Sequence, residues 1–333
     1  MRVSTLVVIS TAFLLSACAT TISRDFVPTF GKANTSSEDL FSHLVVSLNY
    51  DRRHGNFIVG RESGEVEVWN SHRAVIRTRF QAHEDRVNNL TLVQEGEFLL
   101  TDSQIHSETK LWDTASGKLL MSISGASGLS GATPDPNLYI VTYSSAFRLL
   151  DFRAKRVLPD EYPCTGVPTA LTTDIGSGQI AIGTASGTIA VWRFVTTAGR
   201  PSPSLVSSQQ PYAVGDWVVG LQFSRDGTTL YVVTRSGLVD EYDSLSLVKK
   251  QSLQTSLKFV YSAEFIESKK ILALGGTKEE LELNDPWLEV ISLSNGRSQL
   301  FPSNSYLAVL KYVPPLSSVL AIQHGAPTVI PLP

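Results

Sequence analysis

An all-β ring of seven four-stranded sheets is the fold this sequence predicts, on three observations. Apolar and polar residues alternate with period two in many short runs. Gly, Asp, Asn and Ser punctuate those runs, as tight hairpins require. A unit of about forty residues recurs along the chain, the period of a propeller blade. The 333 residues are 42% hydrophobic and 18% charged, enough apolar material for a large core. The net charge of -3 provides no basic field for nucleic acid.

Each unit is justified by a residue that anchors its third strand. The clearest unit spans 83–120, with a strand ending near Thr101, a third strand closing on Trp112-Asp113 and a turn carrying Gly117. Weaker copies in phase with it end on Trp69, Leu150, Trp192, Tyr242, Ile291 and Ile330. The anchors are spaced by about 38 to 50 residues, close to the blade period. In Glu65-Val66-Glu67-Val68-Trp69, Val66 and Val68 face one way and the other three face the opposite way. Thr188 to Trp192 repeats that phase, and Ser224-Arg225-Asp226-Gly227 is a hairpin turn into Thr229–Thr234. One such sheet exposes two apolar faces, so it folds only by stacking against neighbours.

The Trp112-Asp113 pair, with His83 before the first strand, resembles the WD-repeat family. The resemblance implies a seven-bladed β-propeller of residues 24–333, closed by an N-terminal strand at Arg24–Phe30 (RDFVPTF) that completes the last unit. It also implies a buried chain of hydrogen bonds through His83, Thr101 and Trp112. The family's usual Asp, six residues before the Trp, is replaced here by His106.

Residues 1–17 read as a signal peptide. Arg2 is a minimal positive region, and Val3–Leu15 is an uncharged apolar stretch too short to span a bilayer. Leu15-Ser16-Ala17-Cys18 resembles the lipobox of bacterial lipoproteins, which implies acylation of Cys18 and a short lipidated tether at 18–23. Ala19 rather than Asp follows the cysteine, which by the same resemblance implies the outer membrane, facing the periplasm. Cys164 is then a lone thiol in an oxidising compartment.

The candidates for chemistry are few. There is no G-x-S-x-G elbow and no phosphate loop, and the six histidines show no metal-ligand spacing. No cofactor, metal or catalytic set is therefore expected. The acidic residues Glu279, Glu280, Glu282 and Asp285 lie in Gly275–Trp287, read as an enlarged loop between the second and third strands of blade six. That loop is the candidate partner contact. The expected function is a lipid-anchored, non-enzymatic scaffold for envelope or periplasmic proteins. The alternative is a periplasmic propeller enzyme, a lactonase or glycan-active hydrolase, with its site on the axis.

Overall fold

The computed structural model describes residues 44–70, 75–197, 200–279, 286–303, 310–314, 318–323 and 326–332. Cys18, the segment 24–30, and Glu280, Glu282 and Asp285 lie outside them. The described strands form antiparallel sheets, each with its strands ordered as they occur in the chain. Six sheets have four strands: blades 1 to 6, at 45–81, 89–124, 126–163, 168–209, 218–254 and 259–302. The last sheet, at 310–331, has three. The expectation of seven blades is thus corrected to six. The last repeat carries only three strand-length runs, so it makes a partial sheet and no fourth strand pairs with Ala326–Pro331 among the described residues.

The ring itself closes at its inner strands. First strands of successive sheets touch all the way round, and Leu310–Val313 lies against the first strands of both blade 6 and blade 1. Side chains tie these inner strands to one another and to the connection before blade 2. Ser47 Oγ donates to Val87 O at 2.6 Å, Asn49 Nδ2 to Leu90 O at 3.0 Å, and Thr169 Oγ1 to Val218 O at 2.7 Å. Between blade 6 and the last sheet, the Tyr312 amide donates to Glu264 Oε1 at 3.0 Å.

Every anchor residue stands on the third strand of its sheet. In four blades the pairing of third and fourth strands shifts register at the step into the anchor, at Trp69, Trp112, Trp192 and Tyr242. Such bulges increase local twist, and a twisted blade is what stacks round an axis. The turn after Trp112 needs Gly117, whose φ is 67° and whose Cβ position is 2.8 Å from the Phe80 ring of the neighbouring blade.

The core lies between blades. One apolar cluster joins Ile58, Val66 and Val68 of blade 1 to Leu90, Leu99 and Trp112 of blade 2. Similar clusters fill the junctions onward, ending with Val313 of the last sheet against Val45, Leu48 and Phe57 of blade 1. Each sheet is therefore buried on both faces by its neighbours, and the stability of any blade depends on the next. No described helix is long and apolar enough to cross a membrane. The antiparallel order puts the inter-blade connections and the second-to-third-strand turns on one end of the ring, here the top face.

Candidate docking face

His83 sits on the connection into blade 2, Thr101 on that blade's second strand and Trp112 on its third. All three are buried. Trp112 Nε1 donates to Thr101 Oγ1 at 2.9 Å, and His83 Nε2 lies 2.8 Å from the same oxygen. Thr101 Oγ1 thus joins the two rings, and His83 Nδ1 lies 3.7 Å from Glu108 Oε2. Burial holds the imidazole pKa below its ordinary value, and the Lys110 charge adds to that. His83 is a neutral strut.

His106 pairs with a carboxylate of the connection instead of supplying one. Asp85, two residues after His83, accepts a short bond from Ser103 Oγ and lies 3.3 Å from His106 Nε2. Replacing Thr101 with Val removes the shared oxygen and keeps the shape. Two buried donors and acceptors lose a partner, so unfolding in urea should show a loss of about 2 kcal/mol. An unchanged midpoint and slope would contradict this bonding.

A second set of polar residues stands two before the anchor, and in blades 2, 5 and 6 it ties a connection to the blade. In blade 2, Lys110 Nζ donates to Ala82 O at 3.1 Å. In blade 5, buried Asp240 accepts from Tyr212 Oη on the preceding connection at 2.8 Å, and Lys249 Nζ lies 2.6 Å away. In blade 6, buried Glu289 accepts from the Ser256 amide at 2.9 Å. In blade 1, Glu67 binds Arg61, Arg79 and Trp69. Their signal in the sequence is a charged residue in phase with the anchor on an otherwise apolar strand, and sequence reasoning passed over it.

Cys164, on the connection between blades 3 and 4, is buried, and burial pushes its thiol pKa up to about 12. It behaves as a small apolar residue and not as a nucleophile. The loop of blade 6 is shorter than the sequence suggested. Gly275, Gly276 and Thr277 remain in the second strand, paired with Leu288, Trp287 and Pro286, so the loop spans 278–285. Glu279 is exposed on it, and Lys278 Nζ sits 3.3 Å from the centre of the Trp287 ring.

The top face carries exposed apolar groups on its connections and turns: Ile105, Val167, Val214 and Trp217, with Val214 81% and Trp217 42% accessible. Beside Trp217, between blades 5 and 6, lies a groove of about 450 Å³ lined by Ala213, Gly215, Asp216, Arg235, Ser236, Lys258 and Phe259. The Arg235 guanidinium is 4.8 Å from the Trp217 ring centre and 4.1 Å from that of Phe259. Asp216 is engaged on both oxygens, by the Ser236 amide and hydroxyl, each at 2.8 Å. On the inner strands, Glu264 lies 3.6 Å from Lys311 Nζ. The described residues bring no group of three or more His, Cys, Asp or Glu together in a metal-binding arrangement.

The fold is a β-propeller. The β-propeller domain of Myceliophteria thermophila Cps50 (Swd1) superposes with a TM-score of 0.71 at 14% identity, covering 87% of this chain and 96% of that one. Chaetomium thermophilum Raptor gives 0.72 at 15%, over 87% of this chain and 28% of that one. In sequence, the small ribosomal subunit protein RACK1y of Oryza sativa subsp. japonica is 23% identical over 145 residues. That match covers 41% of this chain and 43% of the rice protein, so the chain spans less than half of the relative's length. No protein-family model matches the chain. The match to the rice protein and the propeller neighbours support the WD-repeat character of these blades.

Proposed function

We propose that this protein is a docking scaffold of the bacterial cell envelope. It is a WD-repeat propeller anchored through an acyl group on Cys18, at the outer membrane and facing the periplasm, and it binds envelope or periplasmic proteins without catalysing a reaction. The observation that carries the docking reading is the top face, where Val214 and Trp217 project from one connection beside the cationic groove. Exposed aromatic and apolar groups next to a buried-edge Arg are the composition of a protein contact site. The rice relative is named for the small ribosomal subunit, a multi-protein assembly, and this supports an assembly role. The lipid anchor rests on Leu15-Ser16-Ala17-Cys18 and the apolar stretch before it. The exposed Glu279 places one carboxylate of the acidic loop on the same face.

A photo-crosslinking amino acid at position 217, in intact envelopes, should capture a discrete protein. The same probe at Leu245, on a turn of the opposite face, should not. Capture from position 245 and none from 217 would overturn the docking reading. The anchor has its own test. Cys18→Ala should abolish incorporation of labelled fatty acid and release the protein from membranes, and a variant that stays membrane-bound after a high-salt wash would defeat it.

A further inference from the structure

We infer that the groove between blades 5 and 6 binds a carboxylate of an acidic protein segment, with Arg235 as its receptor. This rests on the docking reading above and names the chemistry of the partner.

Arg235 begins the turn after the second strand of blade 5, Thr229–Thr234, and its amide donates to Trp217 O at 2.8 Å. Trp217 comes from the connection before blade 5, and Phe259 opens the first strand of blade 6. Three elements therefore converge on one guanidinium. Both rings lie within cation–π distance of the guanidinium carbon and restrain the side chain. A guanidinium restrained by two rings has less side-chain entropy to lose when it binds. Its in-plane fork matches the two oxygens of a carboxylate.

Among the described residues Arg235 makes no ion pair, unlike Arg61, Arg79, Arg86 and Arg148, which each engage a Glu. The carboxylate that lines the groove, Asp216, is held by Ser236 and forms no ion pair with Arg235. Exposed Lys258 adds a second cation to the same wall. Two cations against one carboxylate favour an anion, yet they are too few for the phosphate track of a nucleic acid. Val214 and Trp217 at the rim provide apolar contact for the residues that flank the acid, which a free anion cannot use.

The test uses the full chain in detergent and a fluorescein-labelled hexaglutamate peptide at low salt. Fluorescence anisotropy should report saturable binding. Arg235→Gln should weaken it at least tenfold, and exposed Lys258→Gln about threefold, with thermal unfolding midpoints near that of the unchanged protein. Arg235→Lys should recover only part of the loss, because an ammonium lacks the planar fork. Inorganic phosphate should compete only at concentrations far above the peptide's. Three outcomes overturn the inference: equal binding by Arg235→Gln and Lys258→Gln, tighter binding of hexalysine than of hexaglutamate, or displacement by phosphate at peptide-like concentrations. If position 217 crosslinks a protein in envelopes while hexaglutamate ignores Arg235, the docking reading stands and the carboxylate reading falls.

Discussion

Glu67→Ala should cost about 3–5 kcal/mol of folding stability, a large share of the 5–15 kcal/mol typical of a whole domain. Glu67 is buried on the third strand of blade 1, with buried Arg61 at 2.7 Å, half-exposed Arg79 at 2.7 Å and Trp69 Nε1 at 2.9 Å. Burial alone would raise its pKa, but the hydrogen bonds and charges of Arg61 and Arg79, with the Trp69 donor, outweigh that and lower it. The carboxylate is therefore ionised in the fold, and removing it takes from buried Arg61 its closest counter-charge, leaving Glu65 Oε1 at 3.8 Å. Glu67→Gln should cost less, since one amide oxygen still accepts a bond. The linkage has a definite sign. A depressed carboxylate pKa contributes stability above the unfolded value near 4.5, and that stability is lost as pH falls through the folded value. Urea titrations of the two variants check this at pH 7. A loss below about 1 kcal/mol for Glu67→Ala would mean that Arg61 finds another partner or water.

The parts of the molecule legible in the sequence are those set by local repetition. Trp69, Trp112, Trp192 and Tyr242 mark third strands because each unit must bury the same position against its neighbour. The alternation that puts Glu67 on the side of Trp69 was visible too, although its meaning was not. A Glu in a strand looks like a solvated residue until its Arg partners, one on each neighbouring strand, are placed round it. The blade count failed at the end of the chain, where a repeat with three strands resembles a blade in its period but not in its pairing. Arg235, Trp217 and Phe259 carried no motif at all. They come from the connection, a turn and the next blade, and only the closing of the ring brings them together.

Asp102→Asn should change how stability varies with pH, by about 2 kcal/mol across pH 4 to 6.5. Asp102 is the penultimate residue of the second strand of blade 2, fully buried, where Thr109 Oγ1 makes a short bond to one oxygen and Asn89 Nδ2 a long one, 3.4 Å, to the other. No cation pairs with it among the described residues, so burial dominates and pushes its pKa from 3.8 up to about 6. Between those two values the folded chain holds a proton that the unfolded chain has released. Stability from this group therefore falls as pH rises through that window and stays lower above it. His83 works the other way. Its lowered pKa makes stability fall as pH drops below about 6.5, because the unfolded imidazole takes up a proton first. Both slopes run together in the unmodified protein, so the measurement is the difference in unfolding free energy between Asp102→Asn and the parent, from urea titrations at half-unit pH steps. That difference cancels His83 and every other shared group. It should move in favour of the variant from pH 4 to about 6.5 and then level off, whatever the fixed cost of turning an amide toward Asn89. A difference that does not change with pH would mean that Asp102 is ionised in the fold throughout, with water or another donor satisfying the oxygen that Asn89 only grazes.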